Sequence, residues 1–366
     1  MNVNISKTTK GDRLRSRWIG EHAAIGVKDA HAPVVARMSE SLTMAYDYLV
    51  SSGEIVAGSR ISLVLAVSGG SDSHAMLHCL GRIFDREKMG IVVSHLDHGL
   101  RPDSRKEMEF VKEICDSYGV PCLCRCVSPP PKEARENVEV WARGERYKFF
   151  EQCRQETSSN LIATAHQMDD LAETALFRIL SGRMSSDTRA IARLCTTRRL
   201  LRPLLDVTRK EIRDYLLSFG LAWSEDSSNL DTSRTRSRIR HQLLPALCEN
   251  YNPNLKQNLA EFAQRIGSDE TYLWGEAAKI ESVAQIINAE RLCEIPETLR
   301  WRVLKLRIQK HVGDEGAKLG YSAIKRLLER ILENEAWERS FDLPHGIVAV
   351  VNRKRGVSFR ARKKPA

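Results

Sequence analysis

No apolar run in this 366-residue sequence approaches the roughly 18 residues needed to cross a bilayer, so no helical membrane span is expected. The opening stretch, MNVNISKTTKGDRLRSRWIG, is basic but has no apolar core, which excludes a secretory signal. Its Arg and Ser content would suit a transit peptide, whereas Asp12, Glu21 and Asp29 argue against one, and a cytoplasmic location is expected. The nine cysteines are odd in number, scattered and without CxxC spacing, as in a reducing compartment. Cys122, Cys124 and Cys126 alternate along one strand face, but no partner His completes a metal site, so they read as small apolar lining. No internal repeat is visible.

The length allows two domains with real cores. A net charge of +10 favours an anionic partner, nucleic acid being the commonest, although a generic basic surface would have the same charge. Residues 1–38 show no sustained apolar period and are expected to be a flexible extension. From residue 61, short apolar runs (61–67, 91–96, 121–127, 161–166) alternate with helical patterns, the first with Met76, Leu80, Ile83 and Phe84 on one face and the others near 104–118, 133–154 and 169–181. Such alternation predicts βαβ units and a doubly wound parallel α/β sheet, with the post-strand loops gathered on one ligand-binding edge. After about 230 the pattern becomes helical (234–248, 253–285, 297–310, and a stripe through Ile324, Leu327, Leu328, Ile331 and Leu332), then two or three short strands close the chain. The expected domains are therefore 39–230 and a smaller, mainly helical 231–366.

The most informative string is Ser68-Gly69-Gly70-Ser71-Asp72-Ser73, between a buried strand and a helix start. Glycines admit a phosphate close to the backbone, N–H groups of the loop and first turn point at it, and serine hydroxyls add donors. The loop lacks the GK[ST] ending of a Walker A motif. A lysine-free cradle ending in Asp suits the pyrophosphate part of ATP, with Asp72 available for magnesium. The other reading is an ordinary Gly-rich strand–helix turn.

Asp169 and Glu173, four apart, share a helix face with Asp170 beside them, a cluster that repels itself unless a cation or a bound amine compensates. Acids stabilised by the helix dipole are the alternative. His166 and His98 could position phosphate or act on an attacking amine, or be structural. Arg143 and Arg146 could clamp AMP or an RNA backbone, or pair with Glu139. Arg234, Arg236, Arg238 and Arg240 could neutralise RNA phosphates, or spread over a solvated helix face while Ile239 and Leu243 pack inward. The tail from Arg353 to Lys364 is a second basic stretch.

The strand–SGGSDS–helix unit resembles the PP-loop ATP pyrophosphatase group. Three further strings narrow the resemblance: His95-Leu96-Asp97-His98-Gly99-Leu100-Arg101 is similar to HVDHGLR, Ala142-Arg143-Gly144-Glu145-Arg146-Tyr147 to ARxxRY, and Thr164 to Thr174 to TAHHxDDQxET. A D-S-N…R-x-x-I-R-x-x-L-L-P stretch similar to 226–245 completes the likeness to the tRNA(Ile)-lysidine synthetase family, strong over 60–245 and weaker beyond. The resemblance implies a two-step ATP-dependent reaction. The wobble cytidine of a tRNA(Ile) with a CAU anticodon is adenylated at O2, releasing pyrophosphate; free L-lysine then displaces AMP to give lysidine. It assigns ATP contacts to Ser68, Gly69, Gly70, Ser71, Asp72, Ser73, Asp97 and His98, and chemistry to Asp72, Arg143, His166, Asp169, Asp170 and Glu173. Mg2+ would lie on Asp72 and Asp169, and RNA on the four arginines; a homodimer is left open.

The sequence departs from the family's pattern in the substrate region. Leu171 stands where Gln is usual, the RGxG stretch is only Ser181-Gly182-Arg183, and the Arg-Asn pair is Arg236-Ser237. The part beyond 245 is short, as in members lacking the last domain. Two rivals remain: a tRNA thiolase of the same ATP-binding group, which would need a CxxC pair or an iron–sulfur site, and a non-catalytic RNA-binding protein. A glutamine-dependent amidotransferase would need a glutaminase domain for which there is no room.

Overall fold

The structure, a computed structural model, describes residues 32–99, 104–127, 130, 138–181, 192–224, 235–284, 286–333, 338–352 and 354–361. The described residues fall into two compact units, one within Met1–Phe177 and Ala192–Glu261, the other within Arg178–Ile191 and Phe262–Ala366.

The first unit is built on a six-stranded sheet in the order β3-β2-β1-β4-β6-β5. Its strands are β1 (Ile61–Ala66), β2 (Met89–Asp97), β3 (Cys122–Cys126), β4 (Leu161–Thr164), β5 (Leu194–Cys195) and β6 (Leu200–Leu201). All pairs are parallel except the edge pair β5–β6. β1 is apolar on both faces apart from Ser62, because both faces are covered. Leu63 and Leu65 join the core formed with α1 (Ala32–Ser51), α2 (Ser71–His78), α3 (Ser104–Tyr118) and α6 (Arg209–Ser218). Val64 faces the other way, toward Phe149, Phe150 and Cys153 on α4 (Val138–Glu156). Helices therefore cover both sides, as the alternation predicts. Chain order runs outward from β1 to β3 and then returns to β4 beside β1. That reversal opens a crevice at the carboxyl ends of β1 and β4, the usual ligand position in open α/β sheets.

Three details differ from the expectation. The helix α1 starts within the stretch expected to be an extension, because Val34, Val35 and Met38 are buried, with Leu42 and Leu49, in the main core. The helix expected to carry Met76, Leu80, Ile83 and Phe84 passes into a π turn (Cys79–Ile83) around Gly81, a poor helix former, and Phe84 is already extended. Residues 235–261, expected in the second domain, fall in the first. They comprise α7 (Thr235–Arg238), a π turn (Ile239–Leu243), α8 (Leu244–Asn250) and the start of α9 (Leu255–Val283). Ile239 and Leu244 bury against Ala172 and Leu176 of α5 (Met168–Leu180), which holds this segment to the sheet.

In the second unit, α10 (Ala289–Glu294), α11 (Glu297–Val312), α12 (Asp314–Ala317) and α13 (Tyr321–Leu332) precede an antiparallel sheet of β7 (Glu338–Leu343), β8 (Ile347–Asn352) and β9 (Gly356–Ala361). Leu304, Ile308, Ile324, Leu327 and Ala349 sit in its core. Among the described residues no helix is long and apolar enough to cross a membrane.

Because Leu42 is fully buried among core residues, Leu42→Ala should destabilise the protein by about 2–5 kcal/mol, seen as a lower guanidinium midpoint at unchanged slope. An unmoved midpoint would mean that α1 is dispensable to the fold.

Candidate active site

The loop after β1 is shaped by its two glycines. Gly69 takes φ +90, a conformation that side-chain-bearing residues rarely adopt; Gly70 is extended and caps α2. Ser73 braces the turn, its Oγ donating to the Gly70 carbonyl at 3.0 Å and accepting from Ser68 N at 3.2 Å. Ser71 Oγ donates to Asp72 Oδ1 at 3.2 Å. From far along the chain, Ser224 N donates to the Gly69 carbonyl at 3.0 Å and pins the loop from outside. Burial, then the nearby Asp170 carboxylate, push Asp72 up to about 6, against the pull of Arg209 and Arg240.

The loop after β4 leads into α5, whose first turns carry Asp169, Asp170 and Glu173. Protein cations meet all three. Asp169 Oδ1 accepts from Lys256 Nζ at 2.7 Å and Oδ2 from Arg209 N at 3.0 Å. Burial alone would raise Asp169, but these two partners outweigh it and hold it below the usual range. Glu173, 1% exposed, receives Arg240 in two bonds of 2.6 and 2.9 Å, and Arg240 also reaches Asp170 at 3.0 Å. Arg209 Nη2 lies 3.7 Å from both Asp170 and Glu173. His166 Nδ1 meets Thr164 Oγ1 at 3.0 Å. Burial, reinforced by Arg202, lowers His166 to about 4, so the ring is neutral at neutral pH. Leu171, where the resemblance implies a polar Gln, is buried at 1% exposure.

At the end of β2, Asp97 accepts from Gly99 N at 2.7 Å and from Cys126 Sγ at 3.7 Å. Burial would raise it, but these donors keep it below its ordinary value. His98 Nε2 lies 3.3 Å from Arg146 Nη2, and burial together with that guanidinium lowers its pKa. With Nε2 accepting, Nδ1 carries the proton and is a buried donor without a partner among the described residues. Arg143 is exposed, its guanidinium 5.0 Å from the Tyr147 ring centroid. Two cysteines of β3 are protonated: Cys124 is pushed up to about 12 by burial and then by Cys122, and Cys122 is raised first by its bond with Cys115.

Two groups of expected site residues meet protein partners in this geometry. Asp169, expected on magnesium, accepts from Lys256 and Arg209 and ties together the starts of α5, α6 and α9. Of the four arginines expected to face RNA, Arg234 lies outside the described residues, Arg238 is exposed, Arg236 is half-exposed with its Nε 3.7 Å from Glu173 Oε2, and Arg240 turns in to Glu173. Lys256 and Arg209 had no sequence signal, because their partner lies 87 and 40 residues away. Gln167 was also missed; its Oε1 accepts from Asp169 N at 2.6 Å, while its fully buried Nε2 has no partner among the described residues.

A carboxyl raised in the folded state adds stability only while protonated. For Asp72 that contribution is full below its ordinary 3.8 and lost as pH rises through about 6. Asp72→Asn stays neutral, so it should melt above the parent protein at pH 7, with the gap closing toward pH 4 in a pH series of thermal melts.

Residues 42–247 match the PP-loop domain family. A protein named tRNA(Ile)-lysidine synthase from Solibacter usitatus (strain Ellin6076) is 34% identical over 286 residues, 76% of this chain and 61% of that protein. One of the same name from Thermus thermophilus is 36% identical over 310 residues, 83% of this chain and 57% of that protein. The chain thus spans less than two thirds of the length of these curated relatives. Among solved structures, the U34-tRNA thiolase NcsA from Methanococcus maripaludis is similar at a TM-score of 0.48 and 15% identity, over 62% of this chain and 80% of that one, too loose a likeness to bear on chemistry. With the family match covering more than half of the sequence, on the very loop and sheet edge described above, the chain belongs to the PP-loop domain family.

Proposed function

We propose that this chain ligates lysine to C2 of the wobble cytidine of a tRNA(Ile) with a CAU anticodon, using ATP and releasing AMP and pyrophosphate. The observation that carries the reading is the convergence of the SGGSDS loop, the His166–Glu173 segment and the Asp97–His98 turn on the carboxyl edge of one parallel sheet. The names of the relatives agree with it. Nine free cysteines suit a cytoplasmic setting.

In this reading the loop N–H groups and the hydroxyls of Ser68, Ser71 and Ser73 cradle the pyrophosphate end of ATP, and the loose donor on His98 Nδ1 offers a further contact. Asp72 and Asp170 fit a magnesium ion. Their mutual repulsion is what a cation relieves, and Mg2+ usually takes only one or two carboxylates beside phosphates and water. Bound there, the ion would offset charge that develops on the phosphates. The cytidine O2 attacks the α-phosphorus and pyrophosphate leaves; the lysine ε-amine then attacks C2 and AMP leaves.

That amine must lose its proton before it attacks. His166, held neutral down to about 4, is a poor acceptor and suits hydrogen bonding to phosphate. Exposed Arg143 is placed to meet AMP or the RNA backbone, as are Arg236 and Arg238.

The test is incubation of the protein with ATP, magnesium, labelled lysine and unmodified tRNA(Ile) carrying CAU. ATP-dependent transfer of label to RNA is expected, with Asp72→Ala slower by about a hundredfold or more. Pyrophosphate release without lysine transfer would keep the adenylation step and sink the choice of nucleophile. Absence of both with folded protein would favour the RNA-binding reading.

A further inference from the structure

On the ATP part of the reading just proposed, the N–H groups of the SGGSDS loop must aim at the pyrophosphate end of the nucleotide. A helix leaves its first N–H groups without partners of its own, so their direction at α2 depends on what holds the loop. One contact does so from far along the chain, where Ser224 N donates to the Gly69 carbonyl at 3.0 Å. The Gly69–Gly70 peptide is planar and trans, so fixing its carbonyl on one side sends the Gly70 N–H to the opposite side. Residues 222–224 thus form a strap over the loop, and the loop is aimed only as well as the strap is held.

The strap is held by the helix that the loop begins. His74, at the end of the first turn of α2, is 3% exposed, and its Nδ1 donates to the Ala222 carbonyl at 2.7 Å. A carbonyl only accepts, so Nδ1 carries the hydrogen; Nε2 lies 3.1 Å from the Tyr118 hydroxyl at the end of α3, which can donate to it. Phe110 stands edge-on to the imidazole at 6.2 Å between centroids. Two bonded nitrogens and a ring at its side leave the imidazole one orientation. Trp223, between the two tied residues, packs against the main core. One turn further along α2, the buried His78 bonds Tyr215 of α6 instead, at 2.8 Å.

We infer that His74 is a positioning residue for the nucleotide loop. Through Ala222 it holds the strap 222–224, and through Ser224 the strap turns the Gly70 N–H toward the β- and γ-phosphates of ATP. His74 itself does not touch the nucleotide. Its effect falls on the pyrophosphate end, and a ligand that stops at the α-phosphate does not sense it.

The test is equilibrium dialysis of labelled ATP and of labelled AMP, each with magnesium, against the full chain. His74→Leu, apolar and of similar bulk, loses the donor and should bind ATP about tenfold more weakly, with AMP affinity as in the wild type. His74→Asn, whose amide nitrogen can stand in for Nδ1, should restore ATP binding. His78→Leu, buried in the same helix, should leave both affinities unchanged. Parallel loss of ATP and AMP in His74→Leu, or the same loss of ATP in His78→Leu, overturns the inference in favour of a general loosening of α2. So does unchanged ATP affinity in folded His74→Leu, or a His74→Asn protein no better than it. The 15N spectrum of the histidine-labelled wild type, with His74 assigned by its absence from the His74→Asn spectrum, does not depend on the Leu variant folding. A hydrogen on Nδ1 is expected there, and one on Nε2 alone sinks the role given to His74. A wild-type protein that binds neither nucleotide overturns the ATP reading and this role with it.

Discussion

Three carboxylates crowd the first turns of α5 in a largely buried place, and much of the first unit is arranged to bring cations to them. Lys256 comes from the start of α9, Arg209 from the start of α6 and Arg240 from the π turn before α8. A buried pair of this kind is weak as a source of stability, because desolvation offsets most of the attraction, but breaking one side leaves a buried charge and is strongly unfavourable. Its effect is on geometry. The pairs hold residues 235–261 against the nucleotide edge of the sheet, and the apolar contacts of Ile239 and Leu244 with Ala172 and Leu176 complete the attachment.

The surroundings also divide labour among groups that the sequence presents as alike. Asp72 is pushed up by burial and by Asp170, Asp169 is held down by Lys256 and Arg209, and Asp97 by the Gly99 N–H and the Cys126 thiol. His166 and His98 are both kept neutral, by burial and by neighbouring guanidiniums. Pairs of titratable groups driven apart in this way mark which can exchange a proton and which only orient a partner. Here the contrast is between Asp72 and His166, at the ends of the adjacent strands β1 and β4.

The parallel sheet and its ligand edge could be read before any coordinates, since short apolar runs followed by helical stripes leave few topologies once crossovers are right-handed. The start of α6 obeys the same local logic, as Thr208 and Glu211, three apart, make the reciprocal bonds of a capping box. What local pattern misjudged were places decided by partners far away. The helix α1 showed no sustained period in its first turns, yet Met38 and Leu42 are fully buried against the sheet's helices. Arg240 read as one more cation in a basic run until Glu173, 67 residues earlier in the chain, turned it inward.

The sequence by itself determined the nucleotide loop, because the conformation of Ser68–Ser73 follows from Gly69 at positive φ, Gly70 at the helix start and the hydroxyl of Ser73 within reach of both. Those are interactions among neighbours, and local spacing encodes them. Tertiary structure alone decided the protonation of Asp72, the occupancy of Asp169 and the facing of Arg240. Each depends on burial and on charges brought together from separate helices, and no spacing along the chain records that distance.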